Sequence, residues 1–191
     1  FPSAMKIKHL HHWDITYKEA VNIQQALKGK LILYDKESPG EISTIAGADI
    51  SYSKQDDMFF AAVVLLACPT MDVIEEASFA EMAPFPYIPG LLSFREGPAL
   101  LKAFEKLKSV PDCVIFDGQG IAHPRGIGLA SHMGLFLDIP TIGCAKKRLV
   151  GVHDEVGPEV GDYADLTLDG RIMGAVVRTK KKVKPLFISP G

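Results

Sequence analysis

The stretch Cys113-Val-Ile-Phe-Asp-Gly-Gln-Gly-Ile-Ala-His-Pro-Arg-Gly-Ile-Gly128 decides how this chain is organised. Its short apolar start, beside turn residues, predicts a strand that is buried on both faces. Asp117 ends that strand, and Gly118 and Gly120 allow the backbone to turn sharply and to approach a ligand closely. Because ligands of open α/β sheets lie just beyond the carboxyl ends of strands, we predict a site for a charged substrate here.

The composition bounds the class of protein. A chain of 191 residues can form one domain with a substantial core, and we assign residues 5–191 to it. We expect Phe1–Ala4, which precede Met5, to be a cloning remnant. The net charge of −2 argues against a protein that coats nucleic acid by bulk charge, but it allows a nucleic-acid enzyme whose site carboxylates are neutralised by metal ions. No apolar run approaches the length of a membrane span.

The three cysteines, Cys68, Cys113 and Cys144, lie in apolar, strand-like runs and form no C-x-x-C pair. An odd number of cysteines in such contexts indicates reduced thiols in the core. Because reduced thiols are typical of the cytoplasm, we predict a cytoplasmic protein that has no membrane partner.

Hydrophobic periodicity predicts a mixed α/β fold. Thr44–Tyr52 alternates as a strand, and the face that carries Asp49 is free of bulky side chains. The apolar run Phe59–Ala67 predicts the most buried strand, and Pro69–Asp72 predicts a hairpin turn to a third strand. The dipeptide Asp169-Gly170 predicts a terminal hairpin. We therefore predict a mixed sheet flanked by helices, in which parallel strands follow an antiparallel meander.

The segment Pro84–Gly90 contains three prolines, which exclude a helix or a central strand. We interpret it as a stiff, projecting loop with Tyr87 near its tip. Tyr87 either wedges between bases and replaces their lost stacking, or folds onto the core. The following segment, Ser93–Lys108, has the periodicity of an amphipathic helix.

Three acids are candidate ligands of a hard cation: Asp49, Glu96 and Asp117. As an alternative, the two aspartates cap turns and Glu96 completes a capping box with Ser93. Gly97-Pro98 instead favours a helix that begins at Pro98, which leaves Glu96 outside the helix and free. Clustered carboxylates raise one another's cost of ionisation unless a metal joins them, so together the acids predict Mg²⁺ or Mn²⁺. Such a site activates water and holds a phosphate for in-line displacement.

Two further residues could act on a phosphate or a base near these acids. Lys146 ends a predicted strand and can point at the same sheet edge, where it would neutralise a phosphate or orient water. As an alternative, Lys146 belongs to a solvated basic turn together with Lys147. His123 is a general acid, a contact to a base edge, or a loop histidine whose ring is satisfied by the backbone.

Seven motifs resemble, in the same order, those of endonuclease V, the deoxyinosine-specific repair nuclease. They are Gly47-Ala-Asp-Ile-Ser, Phe85-Pro-Tyr-Ile-Pro-Gly, Ser93-Phe-Arg-Glu-Gly-Pro, Phe116-Asp-Gly-Gln-Gly-Ile-Ala-His-Pro-Arg, Ser131-His-Met-Gly-Leu, Pro140-Thr-Ile-Gly and Ala145-Lys-Lys-Arg-Leu. The resemblance covers roughly residues 10 to 191 and implies a ribonuclease H-like fold. It also implies Mg²⁺-dependent hydrolysis of the second phosphodiester bond 3′ to a deaminated purine, which leaves 5′-phosphate and 3′-hydroxyl ends.

The resemblance further implies roles for individual residues. Asp49 and Asp117 would bind the metal, Glu96 would complete the acidic site, and Lys146 would be the catalytic lysine. The DNA-binding residues would include the strand-separating wedge around Tyr87 and a pocket for the flipped base, since the purine edge is hidden in a duplex. These residues are Pro86, Tyr87, Ile88, Pro89, Gly90, Leu92, Gly118, Gly120, His123 and Lys147.

Members of this family continue past Ser189-Pro-Gly191 into a histidine, a further acid near the metal and a final helix. We expect that segment to be absent here and cleavage to be impaired. The alternative function is a non-cleaving module that binds inosine-containing or distorted nucleic acid. We expect a monomer that binds deoxyinosine-containing DNA, or inosine-containing RNA, with Mg²⁺ as cofactor or Mn²⁺ in its place.

Overall fold

A computed structural model describes residues 5–34, 40–53 and 55–191. The expected cloning remnant, residues 1–4, lies outside the described residues. The helices of the described part are α1 (Tyr17–Lys28), α2 (Leu92–Phe104) and α3 (Leu129–Leu137). Its strands are β1 (Thr44–Tyr52), β2 (Met58–Ala67), β3 (Val73–Met82), β4 (Cys113–Phe116), β5 (Thr141–Ala145), β6 (Tyr163–Leu168), β7 (Arg171–Val177) and β8 (Leu186–Pro190).

The strands form one mixed sheet in the order β3-β2-β1-β4-β5-β8-β7-β6. β1, β2 and β3 make an antiparallel meander, and β4 and β5 follow in parallel to β1. β8 returns antiparallel to β5 and pairs with the β6–β7 hairpin. Both predicted turns, Pro69–Asp72 and Asp169-Gly170, connect neighbouring antiparallel strands. The predicted ribonuclease H-like fold class is therefore confirmed.

α2 and α3 pack against one face of the sheet and enclose the main core. α2 crosses the meander, whereas α3 lies against β4 and β5. The core joins small residues of β1 to large side chains of the helices, such as Phe104 and Phe136. α1 packs in a second cluster, where Ala20 contacts the segment that contains Phe85 and Phe94.

The prediction that β2 is the most buried strand is wrong. Phe59, Ala61 and Val63 are buried, but Phe60 and Ala62 between them are exposed. The reason is that α2 covers only one face of the meander, so an entirely apolar strand still has one buried and one open face. β4 is the strand in which three of four residues are buried.

Both interpretations of the chain around Glu96 are also wrong. α2 begins at Leu92, so Pro98 and Glu96 lie within the helix. No capping box forms, because the Ser93 hydroxyl is hydrogen-bonded to Nδ1 of His132 at 2.8 Å. Leu91 and Phe94 are fully buried on either side of the first helical residues. This packing holds the first turn in place and offsets the cost of an interior proline, about 3 kcal/mol.

The three cysteines are free thiols, as expected, although only Cys113 is buried and Cys68 and Cys144 are half-buried. The open face of the sheet accounts for Cys144, which borders a cleft there. Among the residues that the structure describes, no helix combines the length and the hydropathy needed to cross a membrane.

Candidate active site

Asp49 and Asp117 lie side by side at the carboxyl edge of the sheet. β1 and β4 run parallel with Ala48 paired to Phe116, and the backbone N–H of Asp117 donates to the Ala48 carbonyl oxygen at 3.2 Å. Each acid directly follows its paired residue, so both side chains leave the same face of the sheet. That face is the one opposite the main core, to which Ala48 and Phe116 contribute.

Lys146 follows β5 and reaches the same edge. Its Nζ lies 2.5 Å from Oδ2 of Asp117. This hydrogen bond is the main reason that the pKa of Lys146 is raised. Asp49, Asp117 and Lys146 together line a shallow cleft of about 450 Å³ on the open sheet face. The lysine side chain is 74% exposed, so an incoming phosphate can reach it.

Glu96 joins this cluster from α2. Burial, followed by the negative charges of Asp49 and then Asp117, raises the pKa of Glu96 to about 7. An opposing effect comes from the guanidinium of Arg95, which lowers the pKa. The three predicted acids are therefore close enough to share one electrostatic environment, although they come from two strands and a helix.

The donor atoms at this edge suit a hard divalent cation. Carboxylate oxygens are the ligands that Mg²⁺ and Mn²⁺ prefer, and the raised pKa of Glu96 indicates negative charge that a cation would stabilise. Within residues 5–34, 40–53 and 55–191, no three His, Cys, Asp or Glu side chains are already arranged around a common point. Asp117 is turned toward Lys146, and Oδ1 of Asp49 accepts a hydrogen bond from the Ile50 N–H.

We predict that Glu96→Gln stabilises the metal-free protein above pH 7. Because the pKa of Glu96 rises from 4.5 in the unfolded chain to about 7 in the fold, its contribution to stability is present below pH 4.5 and is lost as the pH rises through about 7. The variant should exceed the unaltered chain by on the order of 2 kcal/mol at pH 8 and by little at pH 4.5. Urea unfolding in EDTA at both pH values measures this difference.

Glu105→Gln is the matched control, because Glu105 is exposed just beyond the end of the same helix. That variant should show no such pH-dependent gain. A gain for Glu96→Gln that is equal at both pH values would contradict the raised pKa.

A second cavity, of about 150 Å³, lies near the acidic cluster. Its lining includes Gln119, two residues after Asp117, and Leu92, one helical turn before Glu96. Six of the predicted DNA-binding residues line it: Tyr87, Ile88, Pro89, Gly90, Leu92 and His123. Four others do not: Pro86, Gly118, Gly120 and Lys147. Its remaining lining comes from Gln24, Ser93, Gln119, Gly128, Leu129 and Leu149.

Tyr87 projects from its loop, since 69% of its surface is exposed. The alternative in which this tyrosine folds onto the core is therefore wrong. Phe85, two residues earlier, is the buried anchor, and its carbonyl accepts a hydrogen bond from Nη1 of Arg95 at 2.8 Å. The loop is thus held at its base and exposes an aromatic ring at its tip.

His123 matches the alternative of a loop histidine whose ring is satisfied by the backbone. Nε2 lies 3.0 Å from the Gly90 carbonyl oxygen, which can only accept, so this nitrogen carries the hydrogen. Nδ1 accepts from the Arg125 N–H at 3.1 Å. Burial and the nearby Arg125 guanidinium lower the pKa of His123 to about 4. With both ring nitrogens occupied, we assign His123 to positioning the loop instead of proton transfer.

The Gly90 carbonyl is the point at which this loop is fixed. It accepts hydrogen bonds from Nε2 of Gln24 at 3.0 Å and from Nη2 of Arg125 at 2.6 Å, in addition to His123. The Oε1 atom of Gln24 in turn accepts from Nε of Arg125 at 2.5 Å. α1 and the segment after β4 therefore hold the proline-rich loop against the cavity.

We predict that His123 stays neutral down to about pH 5. Its pKa is lower in the fold, about 4, than in the unfolded chain, 6.5, so its contribution to stability is present above pH 6.5 and is lost as the pH falls through about 4. An NMR titration of the histidine ring protons measures this directly. A midpoint of His123 near the ordinary histidine value of 6.5 would contradict the assignment.

Gly120, the second glycine after Asp117, serves a contact that differs from the predicted one. A Cβ atom on Gly120 would lie 1.9 Å from the Pro190 carbonyl oxygen, and one on Gly143 would lie 2.2 Å from the Gly120 nitrogen. The closely approaching group is therefore the protein's own backbone, in β5 and β8, and not a ligand. Neither Gly118 nor Gly120 lines the cavity, whereas Gln119 between them does.

Two buried glutamines that line the cavity, Gln24 and Gln119, were not predicted from the sequence. Gln24 had a detectable signal, because it occupies the same helix face as Ala20 and Leu27, and a polar residue on an apolar face needs buried partners. Gln119 had none. It lies between two glycines in an irregular segment, where no periodicity shows the direction of a side chain.

The chain is similar to endonuclease V proteins in both sequence and structure. A model of the endonuclease V family matches residues 25–191. Endonuclease V of Dehalococcoides mccartyi is 50% identical over 187 residues, which cover 98% of this chain and 83% of that protein. The crystal structure of endonuclease V from Bacillus subtilis superposes with a TM-score of 0.91 at 35% identity, covering 98% of this chain and 81% of that chain.

A further solved structure carries a nucleic acid. It is the endonuclease V of Ciona intestinalis in complex with a 24mer DNA that contains an inosine followed by a ribo-adenosine. It superposes with a TM-score of 0.76 at 27% identity and covers 91% of this chain and 82% of that chain.

Proposed function

The chain belongs to the endonuclease V family, and on that premise we propose that it is a DNA-repair nuclease that cleaves DNA beside deoxyinosine. The proposal rests on the acidic cluster with Lys146 and on the cavity beside it. Gln119, two residues after Asp117, lines that cavity together with the loop that exposes Tyr87. The inosine-containing DNA bound by the Ciona intestinalis relative supports the choice of substrate. We further propose that residues 5–191 act as one catalytic domain.

We propose that Asp49, Asp117 and Glu96 hold Mg²⁺, for which Mn²⁺ can substitute. When bound, the ion would activate water and stabilise the charge that develops on the phosphate. The negative charge of the cluster would favour entry of the ion, and the bound ion would lower the pKa of Glu96. Lys146 extends from the same edge, and its ammonium group would bind a non-bridging phosphate oxygen as the phosphate settles above Asp117.

We propose that the tyrosine loop and the cavity select the position of cleavage. Tyr87 would stack in the space of the displaced base, while the flipped purine enters the cavity beyond Gly90. Cavities of similar volume hold a benzene-sized molecule, and this one is bordered by the exposed Tyr87. Because the base is then held apart from the acidic edge, the bond that is cut lies a fixed distance along the strand, which we propose is the second phosphodiester 3′ to the lesion.

A nicking assay tests the proposal. Labelled duplexes that contain one deoxyinosine, one inosine in RNA, or no lesion are incubated with Mg²⁺, with Mn²⁺ and with EDTA. We expect cleavage of the deoxyinosine strand with either metal, with 5′-phosphate and 3′-hydroxyl ends. Tight binding without cleavage in either metal would instead support the non-cleaving module, and cleavage of RNA alone would change the substrate.

We predict that Asp117→Asn abolishes cleavage while the fold remains intact. The amide keeps the shape of the side chain but loses the charge that would hold Mg²⁺. The rate should fall by on the order of a hundredfold or more, because the hydrolytic step then loses its metal. Asp169→Asn, in the distant β6–β7 turn, is the control. Unchanged cleavage by the Asp117 variant at the same Mg²⁺ concentration would remove this residue from the metal site.

We predict that Tyr87→Ala weakens binding to deoxyinosine DNA by about 5- to 150-fold, the worth of one base stacked on an aromatic ring. The melting temperature should not change, because the ring is 69% exposed. Tyr163→Ala is a matched control, with 68% exposure on β6. Fluorescence anisotropy and thermal unfolding on the same preparations separate the two effects. A lower melting temperature at unchanged affinity would contradict a stacking role.

A further inference from the structure

The two polar atoms of the Gln119 side-chain amide, Nε2 and Oε1, lie in different environments. Only 9% of the residue is exposed, and it lines the cavity beside the tyrosine loop. Nε2 donates a hydrogen bond to the Lys147 carbonyl oxygen at 2.9 Å. Oε1 is buried and has no hydrogen-bond partner. Because the Lys147 carbonyl can only accept, the NH₂ group must face it and the oxygen atom must remain on the other side.

Three other polar side chains of the cavity, His123, Gln24 and Ser93, are already hydrogen-bonded within the protein. Nε2 of His123 and Nε2 of Gln24 donate to the Gly90 carbonyl oxygen, and the Ser93 hydroxyl is hydrogen-bonded to His132. Among the cavity-lining side chains in the described part of the chain, Gln119 alone has a buried polar atom without a partner. Buried acceptors are normally hydrogen-bonded, so this atom points to a ligand that brings a donor.

The rest of the lining defines the shape of that ligand. Leu92, Leu129 and Leu149 supply apolar surface, which favours the faces of a flat ring. A flat, largely apolar ring with one edge N–H group would satisfy both the leucines and Gln119. Hypoxanthine has such a group, because its N1 carries a hydrogen, whereas N1 of adenine carries a lone pair.

We infer that Oε1 of Gln119 accepts the N1–H of a flipped hypoxanthine and is thereby a specificity-determining contact of this nuclease. The inference rests on the proposed function. In the same orientation, adenine would set its N1 lone pair against Oε1, leaving two buried acceptors without a donor. Sites built to hydrogen-bond one ligand reject the analogue that lacks the group, because their own polar atom is left unpaired. Deamination of adenine converts N1 from a hydrogen-bond acceptor to a donor, so Gln119 would distinguish the two bases at the atom whose hydrogen bonding deamination changes.

The experiment uses the full chain and three labelled oligonucleotides that differ at one base: hypoxanthine, 1-methylhypoxanthine or adenine. Affinities are measured by anisotropy in EDTA. The unaltered chain should prefer hypoxanthine over each of the other two by roughly 5- to 150-fold. Gln119→Met keeps the length of the side chain but has no oxygen, so both preferences should shrink toward unity. Gln25→Met, at an exposed glutamine of α1, should leave them unchanged.

The outcomes separate the inference from its premise. If the unaltered chain prefers hypoxanthine and Gln119→Met prefers it equally, the inference is overturned and the proposed function stands. If the unaltered chain does not distinguish hypoxanthine from adenine, the proposed function fails. Thermal unfolding checks that the variant is folded. If the variant is not folded, the unaltered chain decides alone. Equal binding of hypoxanthine and 1-methylhypoxanthine then overturns the inference, and a preference for hypoxanthine within the stated range supports it.

Discussion

The close backbone contact at Gly120 is the constraint on which the candidate site depends. The turn after Asp117 is hydrogen-bonded to β8, through the Gly120 N–H to the Ser189 hydroxyl and the Ile121 N–H to the Pro190 carbonyl. It is also bonded to the start of α3. Because a backbone held on two sides cannot shift, Asp117 and the segment leading to His123 occupy fixed positions. The same turn therefore positions Asp117 in the acidic cluster and Gln119 and His123 beside the cavity.

The acidic cluster is held together against its own charge. Burial and two neighbouring carboxylates keep the pKa of Glu96 near neutral, and the pairing of Lys146 with Asp117 neutralises only part of the negative charge. The environment of ionised Glu96 therefore costs stability in the metal-free fold. The surrounding packing, above all the buried residues at the start of α2, maintains the acidic cluster. Functional sites commonly retain such unfavourable local features because the rest of the domain stabilises them.

Much of the fold was predictable because it depends on local pattern. Alternation in β1, the Asp169-Gly170 turn and the position of Asp117 after an apolar run each follow from short-range rules. The start of α2 was not predictable in this way, because burial of Leu91 and Phe94 outweighs the preference of Pro98 for the first position of a helix. The same reason limits the site. The acids follow strands and could be located, whereas the partners of His123 and of Gln119 depend on contacts between residues far apart in the chain.

The place of β8 in the sheet sets when this site can form during synthesis. β8 is the last strand of the described chain, yet it lies between β5 and β7 and supplies the groups that hold the turn after Asp117. A nascent chain that has emerged through α3, β5 and Lys146 therefore has all three acids and the lysine outside the ribosome, but not the backbone that fixes them. Contacts of such long sequence separation form late. The edge that carries Asp49, Asp117 and Lys146 should thus remain unassembled on the ribosome until residues 186–190 have emerged.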